Sequence, residues 1–237
     1  MVNVLGLDSA TTGCSAAFWS TGEIVSHRFE EMDRGQAERL NPMIGEVMAD
    51  CGFDFSDIDV VAVTIGPGAF TGLRIGLSVA RAIGLAVSAP VVGITTFAAL
   101  ARSVPEAESV ERTLLVAVNG KRKDVFTQIF NADRRPVGEP GALDPGTALE
   151  VLPAGPLLVA GDGGPALKAA LMDCAEAGDG AEARIRFSSV MGPPDAAEVA
   201  TAGAHSLSGE PLTAVLPPKP FYIRPPDARL PQAGPRS

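Results

Sequence analysis

Two stretches of this chain carry residues that could hold a phosphate. "LDSATTG" puts Asp8 at the end of an apolar run, with Ser9, Thr11, Thr12 and Gly13 in the turn that follows. Hydroxyls and backbone amides in such a turn can surround an anion, and the carboxylate can hold magnesium through water. The same residue types also close hairpins by local hydrogen bonding, so two readings stand. The second stretch, "TIGPGAFTGLRIG", runs from Thr64 to Gly76. It fails the P-loop pattern, because Gly72 is followed by Leu73 and Arg74 rather than by Lys and Ser or Thr. It also fails the dinucleotide fingerprint, because Gly66, Gly68 and Gly72 are spaced G-x-G-x-x-x-G and "PVVGIT" stands where an acid is needed. "AGDGG" offers Gly161 and Gly163 to an adenosine pocket, or forms an ordinary strand-to-helix turn.

Other chemistries lack their residues. His27 and His205 are the two histidines, with no H-x-x-x-H spacing, which argues against a protein-built zinc or iron site. No G-x-S-x-G elbow accompanies them, so a Ser-His-Asp triad has no frame. Cys14, Cys51 and Cys174 are scattered and read as buried small hydrophobes in a reducing compartment. "GKRK" (120–123) is one basic cluster in a chain of net charge −9. That balance argues against salt-driven capture of tRNA or other nucleic acid by this chain directly.

The elements that position these residues follow from periodicity. In 237 residues, 46% of them hydrophobic, there is enough apolar side chain for a sizeable core. "VNVLGLD", "CSAAFW" and "EIVSHRF" read as a three-stranded meander. Leu40, Met43, Ile44, Val47, Met48 and Cys51 fall at helical spacing before Gly52. That helix starts either at Pro42 with Asn41 as cap, or at Gln36 with a kink at the proline. "DVVAVTI" is a doubly buried strand, followed by helix 71–87, strand 90–95 and helix 96–102. The pattern lapses around Pro105–Glu111 and then restarts with the hairpin "TLLVAVNG" and "DVFTQIF". "PLLVAGDGG" follows as a strand, then helices over 165–174 and 195–207. Past Pro211 the chain is proline-rich, with "FYIR" pairing as a strand and a disordered end. The outcome is a duplicated mixed-sheet fold. Residues 1–105 form an N-terminal β-β-β-α-β-α-β-α subdomain, and residues 106–237 a reduced C-terminal one. A chain opening in "VNVLGLD" shows no signal peptide, and its apolar runs are broken, so a cytoplasmic protein without a membrane span is expected.

Helix 71–87 is unusual. Gly72, Gly76, Ala80 and Gly84 recur every four residues, and glycine inside a helix costs about 1 kcal/mol relative to alanine. A seam of small residues admits another backbone closely. Arg74, Ser78 and Arg81 make one narrow polar strip, too little for a helix with a free face. It packs on its own sheet and on a second object, either helix 40–51 of the same chain or another subunit.

Together "LGLDSATTGCSAAF", "GQAERLNPMI", "VAVTIGPGAFTGLRIGLSVARAIG", "PVVGITTFAALA" and "FYIRPPDA" resemble the TsaB (YeaZ) family in order and spacing, strongly over residues 2–130. The resemblance implies the actin/hexokinase/Hsp70-type (ribonuclease H-like) duplicated fold, its second half reduced beyond use as a full ATPase. It implies a non-catalytic scaffold in making threonylcarbamoyladenosine beside the anticodon of tRNA. That scaffold pairs with a TsaD-type catalytic subunit through two helices, is joined by a TsaE-type ATPase, and forms a homodimer in isolation. Carried onto this chain, the interface residues are Leu40, Met43, Ile44, Val47, Gly72, Gly76, Val79, Ala80, Ile83 and Gly84. A Gly76→Leu change is then expected to break the complex and leave the monomer folded. Asp8, Thr11, Thr12, Gly161 and Gly163 become a vestigial nucleotide site. ATP and magnesium are expected at a complex boundary rather than on this subunit alone. Gln36 stands where the family often has histidine, which agrees with a role without catalysis. The rival reading is a small-metabolite kinase of the same fold, using Asp8 and the Thr11–Thr12 turn for Mg-ATP.

Overall fold

The computed structural model describes residues 2–120, 123–175, 184–206 and 218–224. Lys121 and Arg122 of the basic tip, the side chain of Cys174 and the tail beyond Arg224 lie outside that set. Strands β1 (Asn3–Asp8), β2 (Gly13–Ser20) and β3 (Glu23–Glu31) form the opening meander. Helix α1 (Gln36–Cys51) leads to β4 (Val60–Gly66), α2 (Phe70–Val87), β5 (Val91–Thr95) and α3 (Thr96–Ser103). A short α4 (Glu106–Ser109) precedes β6 (Thr113–Asn119), β7 (Val125–Phe130) and β8 (Pro136–Leu143). Then come α5 (Pro145–Glu150), β9 (Leu157–Ala160), α6 (Gly164–Ala175), β10 (Ile185–Phe187) and α7 (Ala196–Ser206).

The two halves have one topology. The first sheet runs β3-β2-β1-β4-β5 and the second β8-β7-β6-β9-β10. In each, the first three strands pair antiparallel and the last two add in parallel. This twofold repetition of a mixed sheet is the actin/hexokinase/Hsp70-type fold. The second copy is the smaller: α6 has 12 residues against 18 in α2, and β10 has 3 against 5 in β5.

Strand alternation sets the layers, because successive side chains point to opposite faces. Leu5, Leu7, Phe18, Val61 and Val63 face α1 and α2. Val4, Ala17, Val60 and Ala62 face α7 on the other side. In the second sheet Leu114, Val116 and Leu158 pack with Phe97 and Leu100 of α3, while Leu115, Leu157 and Val159 pack with Leu167 and Leu171 of α6. The chain therefore crosses over. Helix α7 follows the second sheet in sequence but covers the first one, where Ala196 Nα donates to Ser15 Oγ at 2.9 Å. A cut at residue 105 would sever that packing.

Of the two starts expected for α1 the earlier one is found, and other expectations are corrected. Helix α1 starts at Gln36 and runs through Pro42, whose side lies in solvent. "FYIR" adds no strand; Phe221 N–H donates to Ile65 O at 2.7 Å as a single link. By length and hydropathy α2 could cross a membrane, yet Gly72, Leu73, Gly76, Leu77, Ala80 and Gly84 bury its inner face on the sheet.

The small-residue seam also faces inward. A Cβ at Gly72 would collide with the carbonyl oxygen of Ser9, and one at Gly76 would lie 2.8 Å from Ser9 Oγ and 3.4 Å from Val63 Cγ2. Gly76→Leu is therefore a folding lesion rather than a docking one. Equilibrium urea unfolding of that variant should show a loss of about 3 kcal/mol, the upper range for overpacking a filled site.

Candidate functional site

The helix pair α1–α2 covers the outer face of the first sheet and presents its own outer face to solvent. Leu40, Met43, Ile44 and Val47 are buried against β2 and α2. Releasing each would cost about 1.5–3 kcal/mol, so they cannot serve as contact residues. Gly72, Gly76, Ala80 and Gly84 are buried as well. Of the ten expected interface positions, Val79 and Ile83 alone are partly open, and both still lean on the core. The outward side is made by other residues: Ala37, Asn41 and Gly45 on α1, and Phe70, Arg74, Ile75, Ser78 and Ala82 on α2. Between the helices a groove of about 520 Å³ is lined by Ala37, Phe70, Arg74, Ile75, Ser78 and Val79. Periodicity marks the apolar stripe of each helix; it could not say which face the sheet would claim.

Charge divides across this surface. Helix α1 exposes Glu38, while its Glu46 and Asp50 turn toward β3 and pair with Arg39 and Arg28, Arg39 being held between Glu30 and Glu46 at 2.6 and 2.7 Å. Helix α2 carries Arg74 and Arg81 and no acid at all. Apolar groups fill the strip between the two signs.

The two candidate phosphate loops are spent on each other. Ala69 N–H donates to Ala10 O at 2.7 Å, and Ser9 Oγ donates to Gly72 O at 2.9 Å. A Cβ at Gly68 would strike the Ala10 carbonyl, so only glycine permits this approach. The β1–β2 turn thus meets the start of α2 rather than a ligand, and Ser9, Ala10 and Thr11 are buried. Thr12 is half-buried beside them. Gly161 and Gly163 lie across the molecule against β6, where Gly163 N–H donates to Ala117 O at 3.0 Å and Gly161 N–H to Val190 O at 2.7 Å.

Asp8 is fully buried. Its Oδ1 accepts from Thr64 Oγ1 at 2.6 Å and from Ala10 N–H at 3.2 Å, while Oδ2 meets no partner among the described residues. Burial pushes its carboxyl up to about 7 against the pull of Thr64 and Ala10, and the negative charges of Asp195 and Asp162 add to the rise. Asp195 sits at the start of α7 with His27 Nε2 2.7 Å from its Oδ1, and Asp162 accepts from Asn119 N–H at 3.0 Å. Asp162 and Asp195 join Asp8 electrostatically across the inter-sheet region, and spacing alone did not single them out. At the end of β6, Val118, Asn119 and Gly120 stand where a second carboxylate near the phosphates would be wanted. Among the described residues no three His, Cys, Asp or Glu side chains are placed to hold a metal. A buried, readily protonated carboxyl beside a turn whose carbonyls are taken does not fit a magnesium–nucleotide held by this chain alone.

The sign of the Asp8 effect is fixed. Between 3.8 and about 7 the folded chain keeps a proton that the unfolded chain has released, so stability falls as pH rises through that window. Above it the buried charge is a net cost. Asp8→Asn keeps an acceptor for Thr64 and Ala10 and removes that charge. Urea unfolding at pH 8 should show the variant more stable by a few kcal/mol, at about 1.4 kcal/mol per pKa unit, with a flatter profile from pH 4 to 7.

Comparison with known proteins agrees with this geometry. The family model described as TsaD: tRNA N6-adenosine threonylcarbamoyltransferase matches residues 24–179. The tRNA threonylcarbamoyladenosine biosynthesis protein TsaB of Escherichia coli is 30% identical over 132 residues, 56% of each chain. An uncharacterized protein of Mycobacterium tuberculosis, Rv3421c, is 33% identical over 154 residues, 62% of this chain and 70% of that one. The chain spans about half the length of the TsaB relatives from Escherichia coli and Haemophilus influenzae. YeaZ from Pseudomonas aeruginosa superposes with a TM-score of 0.72 at 23% identity, covering 94% of this chain and all of that one. With the doubled sheet, the α2 start locked on the β1–β2 turn and these matches, the chain belongs to the TsaB (YeaZ) family.

Proposed function

We propose that this chain is a non-catalytic scaffold in tRNA threonylcarbamoyladenosine biosynthesis, docking through the outer face of α1–α2 onto a TsaD-type catalytic subunit. The observation that carries the reading is the composition of that face: an open groove lined by Ala37, Phe70, Ile75 and Val79, with Glu38 exposed on one helix and Arg74 on the other. A partner with the same pair of helices, turned by a twofold or near-twofold axis, lays its groove against this one and brings its Glu38 side toward Arg74 and the converse. Charge matching of this kind steers association and sets register more than it adds affinity, which leaves the binding energy to the groove. Gly45 supports close approach, since nothing lies within 4 Å of where its Cβ would be.

The same self-complementarity accounts for a homodimer when no partner is present. A TsaE-type ATPase joins the assembly rather than this chain alone, and ATP with magnesium enters at a boundary between subunits. Support for assigning no nucleotide to the isolated chain is the buried Asp8 and the occupied turn. These features also weigh against the kinase reading, which needs an ionised, open carboxylate. Direct tRNA binding is not part of the role, in keeping with the net charge of −9.

Val79 tests the surface, because it is partly open at the centre of the groove. Val79→Arg places an unpaired charge there and should weaken both the homodimer and the complex with a TsaD-type protein at least tenfold, about 1.4 kcal/mol or more. Sedimentation velocity and calorimetry read the association, and far-UV circular dichroism with urea unfolding checks that the monomer is intact. Wild-type association by this variant would overturn the docking surface.

A further inference from the structure

Residues 218–224 lie over the junction of β4, β5 and α2 and reach the second sheet. Their path is prepared by two glycines. At Gly66, φ is +119° and a Cβ would stand 2.5 Å from Phe221 O; at Gly93 a Cβ would stand 2.8 Å from Pro218 Cβ. Other side chains at these strand positions would push the segment off. Phe221 N–H donates to Ile65 O at 2.7 Å, and Arg81 donates to Pro218 O at 2.6 Å.

The segment then touches both halves of the molecule. Tyr222 stacks on Phe70 with centroids 5.6 Å apart, and the Arg74 guanidinium covers the other partner, 3.7 Å from the Phe70 ring centre. Phe221 and Ile223 pack into the cluster of Phe97, Leu100, Val118 and Phe126 that underlies the second sheet. Arg224 forms an ion pair with Asp124 beside the β6–β7 turn and lies 5.9 Å from the Phe126 ring centre. Phe70 and Arg74 line the groove between α1 and α2, so the segment holds one wall of it.

We propose that residues 218–224 are a strap that completes the docking face of α2 from within the chain and ties that face to the second subdomain. The inference rests on the docking reading above. It identifies Tyr222 as an added contact for a partner of the same fold: 40% exposed, aromatic and held flat on Phe70, it has the character of an interface anchor. It also makes the face sensitive to a salt bridge outside it, since Arg224–Asp124 fixes the far end of the strap. Three contacts with α2 and β4 depend on that far end staying in place: Arg81 to Pro218, Phe221 to Ile65, and Tyr222 to Phe70.

The test uses the full chain and a TsaD-type partner. Arg224→Glu faces Asp124 with like charge and should weaken association about fivefold, the range of a surface ion pair turned repulsive. Amide exchange at Phe221 and at the start of α2 in the isolated chain should rise by a similar factor. The exchanged pair Arg224→Glu with Asp124→Arg should restore both, which a merely misfolded variant would not do. Tyr222→Ala should weaken association without rescue by the exchanged pair. If Val79→Arg weakens association while Arg224→Glu changes neither association nor exchange, the strap is overturned and the docking surface stands. If Val79→Arg associates normally, the docking reading itself falls, and the exchange measurement alone decides whether the strap holds α2.

Discussion

The structure depends on one backbone-to-backbone contact, the start of α2 against the β1–β2 turn. Ala69 N–H to Ala10 O is a backbone bond of 2.7 Å, and the Ser9 hydroxyl adds a second to Gly72 O at 2.9 Å. Glycine at 68 and 72 is a steric requirement of that approach. The contact fixes where α2 begins, and with it which of its faces meets β4. It also closes the turn that could otherwise receive an anion and buries Asp8 behind it. One constraint thus produces two consequences: the β1–β2 turn is filled by the chain's own backbone, and the outer face of α2 is fixed beside α1.

Much of the architecture was legible in the sequence because it rests on local pattern. Two hairpins followed by α/β alternation announced the duplication, and the sheet orders repeat strand for strand. What periodicity could not supply was the neighbour of each face. Gly72, Gly76, Ala80 and Gly84 read correctly as a seam for close approach, but the approaching backbone belongs to Ser9 and Ala10 and to the strand side of the same sheet. The apolar face of α1 was likewise visible, and the sheet and α2 take it between them. A helix pattern gives the width and direction of an apolar stripe; only the fold says who covers it.

The rest was hidden by distance in sequence or weakness of signal. Strand β8, "PVGEPGAL", contains two glycines and two prolines and lies largely in solvent, so neither propensity nor alternation marks it. Strand β10 is three residues long. The packing of α7 on the first sheet couples residues more than 180 apart, as in the Ala196–Ser15 bond. The candidate site shares this property. Asp8 was conspicuous at a strand end, whereas Thr64, Asp162 and Asp195, which set its electrostatics, come from three other elements.

Erosion of a duplicated fold need not be uniform, and here its two effects point the same way. The second half has shortened where it would build its own outer layer, with α5 of 6 residues opposite α1 of 16. The first half has kept full-length α1 and α2, the elements that a second body of the same fold can match. A carboxyl held near neutrality in a dry setting is a poor partner for a divalent cation, whose binding relies on charged oxygen ligands. A helix pair with an open groove of apolar lining is a good partner for another helix pair. Asp8 is buried behind the turn, while the exposed Phe70 and Tyr222 stack together at the edge of the groove. The filled turn and the open helix face are two sides of one loop docking on one turn.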